Sequence, residues 1–563
     1  MKNKIASIIA FLIILTLTAC TPTPTPFPEQ DISGTPTFTP TATTTQTPTE
    51  APTEAPTEAP TETPEPTIEP TPEPDPYYCT VVDTKNNREY KPTLTNGEYT
   101  FFLPQTTSLD HFLLNCHLGT KSSVNVSGTT YTEDVQTPII LSKKNDLRVS
   151  FADQTGAITM QRYTFVFSST NILYLNINED LGEIEDMHED ENHETYCYGS
   201  LSYFSTEEKY DCTSYISLKG RGNATWTDEK KGYSLKLYET QAYAKKNKIN
   251  FAGLGTSSNW VLIANHRDRT LLRNALAQSL AAQLGMPYAV QYKFVDLYMN
   301  GEYLGLYTLM EKIEIGKDQV DIADGGYLLE FDNYRDDPQI KLKKSGLRVT
   351  INAPDNLSDY SAIEKLLNET ETALSNANGY NRLTGKYWYD YIDVHSFAIL
   401  WMVREYTMDY DANVNFRFYY DPADGKFHGG PAWDFDNSMA RTADIYADPQ
   451  FALIESGKRN SDCWLTKLMT FDAFRQEIVK LYQEHSALFT TTNSQSIYAL
   501  AHQYQAELAY SIDQNFQQWK HQLANPSWNM PSEPTYEGHF EILTTFLHER
   551  NLFWQTYIPQ LTA

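Results

Sequence analysis

Four aspartates, Asp409, Asp411, Asp434 and Asp436, fall within the stretch Tyr406–Met439, with Asn413 and Asn415 beside the first pair and Asn437 beside the second. Carboxylates crowded like this repel one another unless a cation or a shared proton intervenes. Hard oxygen donors with flanking amides suit Mg²⁺ or Ca²⁺ better than zinc. Tyr, Phe and Trp fill the spaces between them, which points to a buried setting rather than solvated turns. Asp411 and Asp434 stand 23 residues apart. That spacing suits a general base followed by a metal ligand, the two carboxylates that phosphoryl transfer requires.

A second set lies upstream, in Lys219-Gly220-Arg221-Gly222-Asn223-Ala224-Thr225-Trp226. Its glycines let backbone approach a phosphate, and Arg221 is suited to contact it; the same Gly-x-Gly pattern also occurs in plain hairpins. Lys231 and Lys236 follow on the next expected strand, where Lys236 shares a face with Ser234 and Tyr238. A lysine placed there reaches nucleotide phosphates in kinase-like sites, with Glu311 as its candidate partner; an outward lysine on a half-buried strand fits the pattern equally. His266-Arg267-Asp268 copies the kinase catalytic-loop triplet, but the fifth residue after Asp268 is Arg273 rather than Asn. Asp268, Arg273 and Asn274 therefore read as a helix start and a packed polar pair.

The elements that must hold these residues can be read from periodicity. FRFYYD and KFHGG flank Pro-Ala-Asp-Gly, whose Asp-Gly supplies the positive φ of a tight turn. Such a hairpin brings the two acidic clusters together. From Asn171 the chain is β-rich, with YISLKGRGNATW, KKGYSLKLYE and a hairpin about Asn300-Gly301. Beyond Asp359 apolar residues recur at three- and four-residue intervals, which predicts helices. The expected class is α+β, two lobes around a cleft. Residues 77–170 carry short alternating runs and read as a small all-β sandwich.

The N-terminal residues predict a location. Lys2 and Lys4 precede an apolar run, and Leu17-Thr18-Ala19-Cys20 follows, so residues 1–20 read as an export signal with a lipobox and Cys20 as the lipidated residue. Residues 21–76 are a Thr/Pro/Glu-rich stalk expected to be extended and disordered. The protein is expected to be extracytoplasmic and tethered to the membrane through that lipid alone. A formal charge of −28 argues against nucleic-acid binding and suits a basic, Ser-rich protein partner. Outside the cytoplasm Cys79 with Cys116, and Cys197 with Cys212, are candidate disulfides by proximity in sequence, which leaves Cys463 unpaired.

KGRGNATW, KKGYSLKL, NWVLIANHRDRTLLRNALA, YMNGEYLGLYTLMEKIEI, MDYDANVNFRFYYD and GPAWDFDNS, in that order, resemble the CotH family of spore coat protein H kinase-like proteins over roughly residues 172–549. The resemblance implies an atypical protein-kinase-like, two-lobed domain (171–563) that transfers phosphate from ATP to protein Ser or Thr with Mg or Mn. It implies that Asp411 is the catalytic aspartate and Asp434 a metal ligand, with Asp436 and Asn415 beside them as further metal candidates. Lys236 and the Gly220–Asn223 loop resemble the nucleotide-binding part, with Lys231 and Glu311 nearby. Where some relatives have Asn five residues after the catalytic Asp, this chain has Phe416, with Asn415 one earlier. A non-catalytic adhesin or scaffold using the same fold is the alternative expectation, and a carbohydrate-binding module a third.

Overall fold

Alternation of apolar and polar residues makes strands wherever one face can be buried, and here it builds three sheet systems in succession. The computed structural model describes residues 77–95, 97–106, 110–141, 146–332, 339–355, 357–412, 415–458, 460–524 and 530–562. Cys20, the Thr/Pro/Glu-rich stalk and Asn413 lie outside the described residues. Among the described residues no helix is long and apolar enough to cross a membrane.

Residues from Tyr78 to Phe167 form a four-stranded and a six-stranded sheet. Val81, Leu114 and Cys116 of the first share one core with Phe101, Val149 and Phe151 of the second. Cys79 and Cys116 are direct partners across two antiparallel strands, and their Sγ atoms lie 2.9 Å apart as free thiols. The other sequence pairing is corrected by register. Cys197 lies opposite Leu218, and Cys212 opposite Tyr203, on one strand pair. Cys212 begins its strand beside the connecting turn, whereas Cys197 begins its own at the far end of the ladder, so the thiols are separated by most of its length.

The next strands close into a barrel. Its order is Asn171–Asn178, Cys197–Phe204, Cys212–Arg221, Gly232–Tyr238, Asn259–Ile263, Glu302–Glu311 and Tyr292–Met299. Parallel pairing of the first with the last closes the circle, Ile172 lying opposite Asp296. Inward positions such as Leu175, Leu218, Leu235, Leu262, Val295 and Leu309 fill the interior. Closure leaves no free edges.

A five-stranded sheet and a helical body complete the chain. The sheet order is Gln339–Lys341, Arg348–Ala353, Tyr327–Phe331, Phe416–Asp421 and Lys426–Gly429. The last two strands are the expected Asp-Gly hairpin, Asp421 lying opposite Lys426. At the centre of the largest core runs the helix Val394–Thr407, capped by Asp393, whose side chain accepts the Ser396 N–H at 2.8 Å. Ser396 through Thr407 are buried, so beyond its first turn this helix is surrounded by protein on every side. The helix Tyr536–Gln560 packs beside it through Trp554, whose ring stacks on Trp401.

Candidate active site

The acidic stretch begins where the buried helix ends. Met408 adopts the left-handed conformation (φ 50°), which turns the chain out of the helix and into Asp409-Tyr410-Asp411. Asp409 is fully buried and ion-paired with Arg404 one turn back in that helix. Its Oδ1 accepts the Asp411 N–H at 3.2 Å, so Asp409 orients the backbone that carries Asp411. Arg404 also donates to the Trp433 carbonyl oxygen at 3.2 Å, reaching the second acidic segment. Backbone bonds tie the segments directly: Tyr410 N–H to Asn437 O at 3.1 Å and Met439 N–H to Thr407 O at 2.7 Å.

The segment Asp434-Phe435-Asp436 is pinned from another side by the helix Arg273–Gln283. Phe435 N–H donates to Asn274 Oδ1 at 2.8 Å, and Arg273 Nε donates to Ser438 O at 2.8 Å. Asp268 accepts the Arg273 backbone N–H at 2.8 Å and pairs with its guanidinium at 2.5 Å. Burial alone would raise Asp268, but the Arg273 charge and these hydrogen bonds hold it below the usual carboxylate range. The kinase-like triplet is thus a helix-start brace, and Asn274 beyond it positions the second acidic segment. Asp434 itself has φ 67°, a left-handed conformation that few residues other than Gly, Asn and Asp adopt, and its side chain opens onto a cleft.

That cleft has a volume of about 800 Å³ and lies among the end of the barrel, the five-stranded sheet and the acidic segments. Asp411, Asn415, Asp434, Asp436 and Asn437 line it, facing Arg221, Gly222 and Asn223 from the barrel. Its surroundings push Asp434 above the usual carboxylate range, first by burial and then by the charge of Asp411; Arg221 opposes the shift. Asp436 is raised to about 8 by burial and by Asp434, against the pull of Arg441. Burial also raises Asp409 to about 7, against Arg404 and with the repulsion of Asp411. Protonation or a cation relieves such crowding. Among the described residues no three acidic, His or Cys side chains form a ready-made metal cage. The donor set fits Mg²⁺ or Mn²⁺ all the same, because such ions use one or two carboxylates together with waters and ligand phosphates.

Several sequence expectations change. Gly222, Asn223 and Arg221 line the cleft, but Gly220 supports the loop instead: a Cβ there would lie 2.3 Å from the Trp226 ring. Lys236 is corrected out of the site. It shares the outward, half-buried face with Ser234 and Tyr238, and lies four residues, roughly 13 Å of strand, beyond the cleft-lining Gly232. Lys231 is also displaced; its ammonium sits over the Trp226 ring at 4.8 Å and donates to the Trp226 carbonyl oxygen. Glu311 makes no ion pair with Lys236 among the described residues; it accepts the Gln291 N–H at 2.9 Å, and burial raises it to about 7.

Sequence reading missed Lys230, Arg267, Arg417 and Arg441, all of which line the cleft. Lys230 lies fully buried against Leu306 O at 2.7 Å and Asn515 Oδ1 at 2.8 Å, and burial pulls it well below the usual lysine range. Arg267 is paired with Asp228 at 2.8 Å. Arg417 was legible in principle, since Phe416 and Phe418 face the core and strand parity puts Arg417 with Asn415 on the other side.

Fold and site together define an α+β protein with an acidic, arginine-flanked cleft at the mouth of a closed barrel. A family model described as CotH kinase protein matches residues 218–553, more than half of the chain, and the chain belongs to the CotH family. No curated protein matches it.

Proposed function

We propose that this protein is a metal-dependent kinase that transfers phosphate from ATP to Ser or Thr hydroxyls of secreted or envelope proteins. In this reading the barrel and the helical body act as the two lobes of an atypical kinase-like domain. The observation that carries it is the convergence of Asp411, Asp434 and Asp436 on one cleft with Arg221 opposite. Membership of the CotH family supports the same reading.

Asp411 is the general base. Its backbone is fixed by Asp409, it stands beside Asn415, and it takes the proton from the attacking hydroxyl. Asp434, held in its left-handed conformation, and Asp436 hold Mg²⁺ or Mn²⁺, with Asn415 at the edge of the set. The bound ion supplies charge neutralisation for the phosphates. Arg221 draws the donor phosphates to the same end of the cleft. Lys236 and Glu311 take no part.

The proposed activity is extracytoplasmic and lipid-tethered, a reading supported by the lipobox-like Leu17-Thr18-Ala19-Cys20 and the Pro-rich stalk. The cross-strand pair Cys79 and Cys116 suits an oxidising compartment. An acidic surface favours basic, Ser-rich acceptors.

Titration calorimetry with ATP and Mg²⁺ or Mn²⁺ tests the assignment. Asp434→Ala is expected to abolish binding, whereas Asp411→Ala keeps it and loses transfer by about 10²–10⁴-fold. Equal loss of both properties in both variants would mean that the roles are wrongly divided. No nucleotide binding by the unaltered protein with any divalent ion would defeat the proposal.

A further inference from the structure

The outer wall of the barrel differs in composition from the rest of the chain. Over three adjacent strands, Cys197–Phe204, Cys212–Arg221 and Gly232–Tyr238, no position is Asp or Glu, although the chain carries 72 acidic residues and a formal charge of −28. Inward positions such as Leu201, Leu218 and Leu235 fill the barrel. The outward ones from Tyr198 to Ser202, Tyr215 to Lys219 and Ser234 to Tyr238 are Tyr, Ser or Lys throughout.

Register makes these positions one continuous surface. Tyr215 lies opposite Ser200 on one side and Tyr238 on the other, and Ser217 lies between Tyr198 and Lys236. Tyr243, from the loop after the third strand, rests against three of the rings, at 4.8 Å from Tyr198, 5.7 Å from Tyr238 and 6.3 Å from Tyr215. The last two contacts are edge-on, and Tyr215 keeps 37 % of its surface in water. The Lys219 ammonium lies 5.3 Å over the ring of Tyr196, which flanks Tyr198. Lys236 sits diagonally across from Lys219, and Lys246 lies opposite Tyr238. Among the described residues none of these three lysines has an ion pair.

Like charges on neighbouring strands repel, and a wall without carboxylates offers them no internal partner. In a strongly acidic chain such an island selects an anion. Tyr has a flat apolar body with a polar tip, and Ser a small hydroxyl; together they suit a ligand that alternates C–H faces with hydroxyls, as a sugar ring does. The cores of protein interfaces are depleted in Lys, and faces that lie on membranes carry large apolar anchors such as Leu and Phe. This wall has Lys at its middle and no aliphatic side chain among those outward positions.

We propose that the outer wall of the barrel is a binding surface for an anionic polysaccharide, with the tyrosine rings against the sugar faces and Lys219, Lys236 and Lys246 against the acid groups. The surface lies outside the cleft and works whether or not the cleft transfers phosphate.

Calorimetry on the whole protein tests the proposal, with fragments of polygalacturonate and hyaluronan as probes. Neutral amylose fragments, polyglutamate of equal length and phosphatidylglycerol vesicles are the comparisons. At least one anionic glycan is expected to bind about tenfold or more tightly than amylose or polyglutamate, with an affinity that falls as salt rises. Tyr215→Ala is expected to weaken that binding by about tenfold, and Lys236→Gln to weaken it and flatten its salt dependence. Both side chains reach water without a hydrogen bond to protein, and circular dichroism checks the fold of each variant; either one alone suffices if the other fails to fold. Equal binding of polyglutamate would reduce the surface to bare charge, and vesicle binding without glycan binding would assign it to lipid. Glycan binding unchanged in both variants would place it elsewhere. Each of these results overturns the proposal, as does failure to bind either anionic glycan.

Discussion

Asp409 and Asp411 are two residues apart and do different work because one is sealed and the other open. Asp409 has no exposure and an arginine partner, so it serves as a brace; Asp411 reaches the cleft. Glu311 shows the same dependence on surroundings. Burial raises it to about 7, against only one opposing hydrogen bond from Gln291. Its folded-state pKa lies above its unfolded value, so the folded state holds the extra proton between about pH 4.5 and 7. Stability from this group is therefore full below that window and is lost as pH rises through 7. Urea unfolding across pH 5–8 is expected to show a decline to which Glu311 contributes up to about 3 kcal/mol, so that Glu311→Gln makes it shallower while the raised Asp409 and Asp436 keep part of it. An unchanged slope in the variant would show that Glu311 is not the group responsible. Sequence reading placed Lys236 on the correct strand face. It could not show that the cleft lies at the strand's end, because that depends on how the barrel closes.

Elements position the site through close contacts that tolerate little change. The loop between Cys212–Arg221 and Gly232–Tyr238 folds so that the Trp226 ring covers Gly220. Trp226 is itself held by His193, at 4.7 Å between rings, and by Lys231. Gly220→Ala therefore has no room to relax, and is expected to cost about 1–3 kcal/mol and to weaken ATP binding through the displaced Arg221. Thermal unfolding and the calorimetric titration measure the two effects; wild-type values in both would mean that the loop adapts freely. The acidic hairpin was legible because Asp-Gly and period-two alternation are local signals. The barrel was not, because its closing contact is a parallel pairing between Asn171–Asn178 and Tyr292–Met299, segments more than a hundred residues apart. Periodicity identifies a strand but not its partner. For Arg417 the strand face was readable by parity with Asn415, but that this face forms a cleft wall was not, because the barrel stands opposite it only after closure.

Across the whole molecule, a buried polar knot joins three parts. Asp296 of the barrel accepts from Ser168 at 2.7 Å, Ser511 at 2.6 Å and Tyr303 at 2.8 Å. Ser168 ends the N-terminal sheets, and Ser511 belongs to the helix Ala509–Gln518. Phe102 of the N-terminal sheets adds a stacked contact with Phe204 of the barrel at 4.6 Å. The N-terminal sheets are thereby fastened to the body that carries the cleft. Ser511→Ala leaves one Asp296 oxygen short of a donor and is expected to cost about 1–3 kcal/mol. Calorimetric unfolding should show the N-terminal sheets and the barrel destabilised together; an effect confined to the helical body would contradict the knot.

The proposed phosphoryl transfer rests on Asp411 and Asp434 converging on one cleft. It is tested most directly by incubating the protein with γ-labelled ATP, Mg²⁺ or Mn²⁺ and a basic Ser-rich protein, and following label on Ser or Thr. Metal-dependent labelling is expected, and Asp411→Asn and Asp434→Asn are each expected to abolish it. Labelling that persists in both variants, or none by the unaltered protein despite tight ATP binding, would contradict it.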